Sequence, residues 1–335
     1  TIQQHVLTGS HHPYSERAIP HRNFVFDLQL PKYQQSEVYI RIDTQSSVQI
    51  PLFIASKEAF FVDDQTELIS KSIYYGMMIV MVLYNLFLYF SLREKVYIYY
   101  VLFIFSFSSM LFCLHGLPSQ YIWPDSPLLQ DTGVLLAISS AVFFASLFTR
   151  HFLHLNVNAP KADIIIKVIC WAALASMLST SVLKFSVSIR FSMVLVISGA
   201  FMSLFIGPYL WAKGHQYARF YSLAWISITF FSILTTLNKF GIMPRNFITE
   251  NGMQIGSATE AILLSLALAD RLNKERNERL IAEEKLVFQA THNPLIGVPN
   301  RAYLLNWLNS SSTKQKKNIQ PSLVLVHLQH FHEVN

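Results

Sequence analysis

The sequence predicts a mainly α membrane protein: a seven-helix transmembrane bundle, preceded by a partial β-sandwich module and followed by the first part of an α/β module. Of its 335 residues, 52% are hydrophobic and only 14% are charged, against roughly a quarter charged in an ordinary soluble domain. Mean hydropathy is +0.34. The apolar residues fall into charge-poor stretches close to the roughly 20 residues a helix needs to cross a hydrocarbon core. The net charge of +6 is dispersed between these runs and forms no continuous basic stripe for nucleic acid. Cys113 and Cys170 both sit inside apolar runs, which excludes a disulfide framework. The chain opens Thr1-Ile2-Gln3 without a Met or a signal peptide, and so reads as a fragment or a processed form.

Residues 1–66 are expected to form an extracytoplasmic β module. Within 21–62, Phe24, Phe26, Leu28 and Leu30 alternate with polar neighbours, as do Val38, Ile40 and Ile42, and then Val48, Ile50, Leu52 and Ile54. Alternation with period two implies one buried and one solvated face. Some 60 residues is short for a sandwich, which places further strands upstream.

The bundle is expected over 72–270. Its spans read as 72–92, 96–115, 132–149, 164–183, 191–212, 220–238 and 251–269. Gly207-Pro208 suggests a kink in the fifth, and Glu260 is the one charge inside the seventh. If the β module lies outside, the inner loops hold Arg93, Lys95, Arg150, Lys161, Lys213 and Arg219. The tail adds Arg271, Lys274, Arg276, Arg279 and Lys285. The outer loops hold Lys184, Arg190, Lys239 and Arg245, and none falls in 116–131. That bias predicts N-terminus out, C-terminus in.

The seventh span continues as a signalling helix over 271–290. No Gly or Pro interrupts 263–286, and Asp270/Lys274 and Glu275/Arg279 stand at i,i+4 in the favourable order. Leu272, Arg279, Ala282 and Leu286 make a sparse heptad seam. A continuous helix can transmit a rotation or piston shift, which a Gly/Ser linker cannot. Asp270, Arg271 and Leu272 are the candidate relay residues.

From Ala290 the chain reads Ala-Thr-His-Asn-Pro-Leu-Ile-Gly-Val-Pro-Asn-Arg, followed by a helical stretch at 303–308 and a strand-like one at 323–328. This resembles the opening of a GGDEF (diguanylate cyclase) domain. His292, Leu295, Gly297, Pro299, Asn300 and Arg301 match its entry motif, whereas Asn293 and Ile296 depart. The resemblance makes 291–335 a truncated, degenerate GGDEF-like domain. Phe331 and Asn335 match a nucleotide-contacting stretch, but His327 replaces a metal-binding Asp and His332 a phosphate-facing Lys. Magnesium prefers carboxylate oxygen to imidazole nitrogen, and the signature loop would lie beyond Asn335. No catalytic site and no cofactor are therefore expected here; GTP with magnesium belongs to the full-length module.

Tyr84-Asn85-Leu86-Phe87-Leu88, Ser91-Leu92-Arg93-Glu94, Ala218-Arg219-Phe220-Tyr221 and Leu266-Ala267-Leu268-Ala269-Asp270-Arg271 resemble the bacterial seven-transmembrane receptors with diverse intracellular signalling modules. The preceding segment is similar to the jelly-roll modules of that group. The resemblance implies a receptor in the bacterial inner membrane, a carbohydrate-like extracytoplasmic ligand, and a homodimer linked to cyclic di-GMP signalling.

Glu260 is the candidate intramembrane switch, because an ionised carboxylate in hydrocarbon is costly unless it faces the interior, pairs or is neutralised. Lys167 reads as snorkelling. His151 and His154, at i,i+3, lack a third ligand for a metal. Gly252-x-x-x-Gly256 is a small-residue packing motif that also arises by chance. The expected function is a signalling receptor. The alternatives are a transporter or channel, which would show repeats or broken helices, or a diguanylate cyclase that is active in full-length form.

Overall fold

A computed structural model describes residues 6–9, 12–28, 37–43, 52–180, 182–313, 324 and 326 of the chain. Eleven α-helices occur among them, in the order α1 (Lys57–Leu92), α2 (Lys95–Leu114), α3 (Leu117–Tyr121), α4 (Pro127–Phe152), α5 (Leu155–Asn158), α6 (Pro160–Ser179), α7 (Phe185–Ala212), α8 (Ala218–Lys239), α9 (Phe247–Glu250), α10 (Gly252–Thr291) and α11 (Arg301–Thr313). Seven of these are long and apolar enough to cross a membrane: α1, α2, α4, α6, α7, α8 and α10. They coincide with the seven apolar runs of the sequence.

The chain divides into two compact units, Thr1–Arg271 and Leu272–Asn335. In the first, α2, α4 and the membrane part of α10 are the most enclosed spans, whereas α1 and α7 present most of their apolar surface outward. Tyr97, Tyr100, Phe148, Phe152, Tyr221 and Leu264 form the fully buried centre. Phe152 stacks on Phe148 at 5.3 Å and on Tyr221 at 5.9 Å between ring centroids. Lipid tails are as apolar as these side chains, so shape and polar glue decide how the helices associate. One such element is a buried serine knot, in which Ser139 Oγ lies 2.9 Å from Ser176 Oγ and 3.3 Å from Ser192 Oγ. Close backbone approach supplies another. A Cβ on Gly256 would stand 2.7 Å from that of Phe231, and one on Gly252 would stand 2.4 Å from Thr235 Oγ1. Gly252-x-x-x-Gly256 is thus the seat of α10 on α8. Pro208 lies inside α7 without ending it.

The expected β-sandwich requires correction. Among the described residues no strand forms: 24–28, 37–43 and 52–56 are irregular. Both faces of the alternating pattern are open, with Tyr39 87% and Ile40 55% exposed. A strand needs ladder partners for its N–H and C=O groups and a second layer for its apolar face, and among the described residues neither is found. Leu30, Val48 and Ile50 lie outside the described residues. Residues 57–62, read above as β, are instead the first turns of α1. Ser56 caps that helix by accepting from Ala59 N at 3.2 Å, with Glu58 in the first turn.

In the second unit, α10 runs on to Thr291. A tight turn over 292–300 follows, and then α11. Asn293 Oδ1 accepts from Leu295 N at 2.9 Å, and Asn300 Oδ1 accepts from Tyr303 N at 3.0 Å, capping α11. Gly297 takes φ +69°, a conformation that glycine adopts without penalty. The motif residues His292, Asn293, Gly297 and Asn300 therefore build this turn. Of the strand-like 323–328 only Val324 and Val326 are described, neither in a strand. His327, Phe331, His332 and Asn335 lie outside the described residues.

Candidate signal-relay site

One face of α10 carries Gln254, Ser257, Glu260, Ala261, Leu264, Ala267 and Leu268, all buried. Their three- and four-residue spacing is that of a single helical stripe. Polar contacts hold this stripe at three levels.

At the N-terminal level, Gln254 Nε2 donates to His115 Nε2 at 3.2 Å, and the other ring nitrogen lies 2.7 Å from Tyr75 Oη. His115 follows the last residue of α2. Burial, followed by the nearby charges of Lys71 and Arg22, pushes its pKa down to about 4, although Glu67 acts in the opposite sense. The ring is thus neutral at ordinary pH, one nitrogen accepting and the other donating. One turn further in, Tyr74 Oη lies 3.0 Å from Ser257 Oγ.

At mid-membrane, Glu260 is 2% exposed. Its Oε1 has no hydrogen-bond partner among the described residues, and no described cation stands beside it. Tyr74 of α1 and Tyr100 of α2 bond α10 on either side of it, at Ser257 and Ala261. Tyr100 donates its hydroxyl to the Ala261 carbonyl next along the chain. Tyr221 is tied to Thr149 of α4 at 2.9 Å.

The C-terminal level, at Asp270 and Arg271, is charged. Arg219 Nη2 of α8 donates to Asp270 Oδ1 at 3.0 Å. Arg271 Nη1 donates to the carbonyls of His151 and Phe152 at 3.0 and 2.9 Å. Those are the last carbonyls of α4, which have no partner within their own helix, and a cation there also meets the negative end of the helix dipole. Nearby, Asp163 of α6 accepts from Arg150 at 2.6 Å and pairs with Lys167 at 2.8 Å. Lys167 is therefore one arm of an ion triad, and not simply snorkelling.

Glu260, Asp270 and Arg271 all act on the same helix, but at separate levels. Leu272, half-buried, opens the second unit. His151 Nδ1 bonds the Leu147 carbonyl and its ring packs on Tyr99, while His154 adopts φ +47° at the start of α5. Among the described residues no three His, Cys, Asp or Glu converge on a metal position. Sequence reasoning missed Gln254, His115, Tyr74, Tyr100 and Arg219. The signals present were the shared spacing of Gln254, Ser257 and Glu260, and the place of Arg219 in the Ala218-Arg219-Phe220-Tyr221 motif.

A family model described as 7TM diverse intracellular signalling matches residues 67–271, and one described as 7TMR-DISM extracellular 2 matches residues 1–56. No curated protein and no solved structure matches the chain. The first match covers more than half of the 335 residues, takes in all seven apolar runs of the sequence and ends on Arg271, at the charged level of the stripe. By that match the chain belongs to the family of seven-transmembrane proteins of diverse intracellular signalling.

Proposed function

We propose that this protein is a transmembrane receptor whose seventh helix carries the signal. The observation that carries the reading is the polar stripe itself. A helix needing only to span the bilayer would bury apolar residues, but α10 is bonded through side chains at its outer, middle and inner levels. It then runs without a break to Thr291. A stiff helix moves as one body, so a displacement at Gln254 reaches Arg271 as a shift or rotation and not as local bending. Glu260, whose Oε1 is unpartnered, is the polar switch whose surroundings distinguish the two arrangements.

In this reading residues 1–56 lie outside the cell and the helix past Arg271 lies in the cytoplasm, in accord with seven crossings and the Lys/Arg bias. The membrane is the bacterial inner membrane. The ligand class is carbohydrate-like. The output is a GGDEF-like module opening at the 292–300 turn, working as a pair in a homodimer, with GTP and magnesium bound only by the longer module. Support for the module comes from the turn: His292, Asn293, Gly297 and Asn300 make the tight reversal that their motif positions require.

Single-cysteine variants at Tyr39 and Leu280, both exposed, in a Cys113→Ser, Cys170→Ser background test the topology. A membrane-impermeant maleimide should label position 39 in spheroplasts, and position 280 only after permeabilisation. Labelling of both positions in sealed spheroplasts would end the receptor reading.

A further inference from the structure

We propose that residues 13–24 form an outer latch that sets the position of the seventh membrane helix, with Arg22 as its anchor and the His115–Gly116 turn as its seat. The proposal rests on the relay role of α10 and identifies where the input enters.

Four observations converge on it. First, Arg22 is 6% exposed, and a buried guanidinium is held only where it is paired. Its Nη2 lies 2.5 Å from Asp64 Oδ1 and 3.2 Å from Glu67 Oε2. Both carboxylates belong to the early turns of α1, before the apolar run. Second, the segment is strapped across the bundle and not merely touching it. Tyr14 N donates to the Pro124 carbonyl at 2.8 Å, and Ser15 Oγ donates to Asp125 Oδ1 at 3.0 Å. Arg17 closes the segment by donating to the His21 and Arg22 carbonyls at 2.7 and 3.1 Å. His21 Nε2 lies 2.9 Å from Asp64 Oδ1. Third, the Arg22 carbonyl occupies the space beside Gly116, where a Cβ would stand 3.0 Å from it. The latch backbone therefore rests on the turn that carries His115. Fourth, the charges continue inward: Glu67 also holds the buried Lys71, whose field acts on His115. His115 in turn accepts from Gln254 of α10.

The Arg22 site thus reaches Gln254 by two routes. One is steric, through the Gly116 turn, and the other electrostatic, through Glu67 and Lys71. Withdrawing Arg22 takes its carbonyl off the Gly116 turn and leaves Glu67 to Lys71 alone, so one displacement of the outer segment alters both routes at the first turns of α10.

Hydrogen–deuterium exchange on the full chain in lipid nanodiscs tests the latch. In Arg22→Ala the amides of 14–24 should exchange about tenfold faster. So should His115, Gly116 and 255–258, whose amides are bonded inside the structure. Arg22→Lys should recover part of the protection. Lys57→Ala should change nothing, because it removes the exposed pair with Asp27, which ties a neighbouring part of the segment to the same helix. Unchanged protection around Ser139, Ser176 and Ser192 would certify that the fold persists; if Arg22→Ala loosens those too, the Arg22→Lys profile decides. Loosening confined to 14–24, with 115–116 and 255–258 as in the parent, would overturn the latch. Loosening that reaches 255–258 while 268–271 keeps its protection would uphold the latch; the relay fails separately, if the angle of α10 at Arg271 then stays as in the parent.

Discussion

The two ends of the seventh membrane helix are held by different chemistry. At the outer end Gln254 and Ser257 make neutral hydrogen bonds to His115 and Tyr74. At the inner end Asp270 and Arg271 are themselves charged and bond Arg219 and the carbonyl end of α4. A neutral bond between side chains contributes roughly 0.5–1.5 kcal/mol, whereas bonds to charged groups contribute about 1.5–3. The outer end can therefore exchange partners at low cost, while the inner end resists. A body held loosely at one end and firmly at the other pivots about the firm end, so a small outer input becomes a change of angle at Arg271.

Breaking that contrast begins with the contact that makes it possible. Gly256→Leu drives a side chain into Phe231 and Ile228; the expected loss is about 3 kcal/mol or more of bundle stability, beyond ordinary overpacking because backbone also stands in the way. Thermal unfolding in detergent would read it. Arg271→Ala comes next: it leaves two helix-end carbonyls without this donor and should cost about 2 kcal/mol, whereas Gln254→Leu at the outer end should cost about 1 kcal/mol or less. Equal losses at the two ends would remove the pivot. Glu260→Leu has the opposite sign. Replacing a buried carboxyl that has an unpartnered oxygen by an apolar side chain should stabilise the bundle by about 1–2 kcal/mol, while abolishing any ligand-driven motion of α10. A destabilised variant would show that Glu260 is an interhelical post and not a switch.

The smallest expected effect concerns pH. The folded pKa of His115 is lowered to about 4, below the ordinary value near 6.5. Between those values the unfolded chain binds the proton and the folded one does not. Stability is therefore unchanged above about pH 6.5 and falls as pH drops through the window toward 4. Gln254→Leu in the same titration separates the ring's burial from its hydrogen bond. A His115→Gln variant should lose the slope; retention of the slope would assign it to another group.

The apolar spans were legible because hydrocarbon imposes length and composition on each of them locally, and Glu260 stood out as the lone charge in the seventh. The stripe around it was less so. Tyr74 and Tyr100 are unremarkable in sequence and Arg219 stood out only as part of a motif, with no partner named; only the packing of α1, α2 and α8 beside α10 brings them to it. The β reading failed for a related reason: alternation at Phe24–Leu28 and Val38–Ile42 states a preference that a ladder and a second layer must complete. The helical start at Lys57 was readable from the Ser56 cap and Glu58, but was masked by the run of alternating residues before it. Arg22 carried no mark, since it and Glu67, 45 residues apart, meet only in three dimensions.

The central claim is that release of the outer segment changes the angle of the seventh helix at its inner end. Paired spin labels at Val157, exposed in α5, and at position 278 of α10 would follow the inner end by electron–electron double resonance in nanodiscs. The account predicts that Arg22→Ala shifts that distance distribution relative to the parent, and that Lys57→Ala does not. An unchanged distribution in Arg22→Ala, with the outer segment demonstrably released, would contradict it.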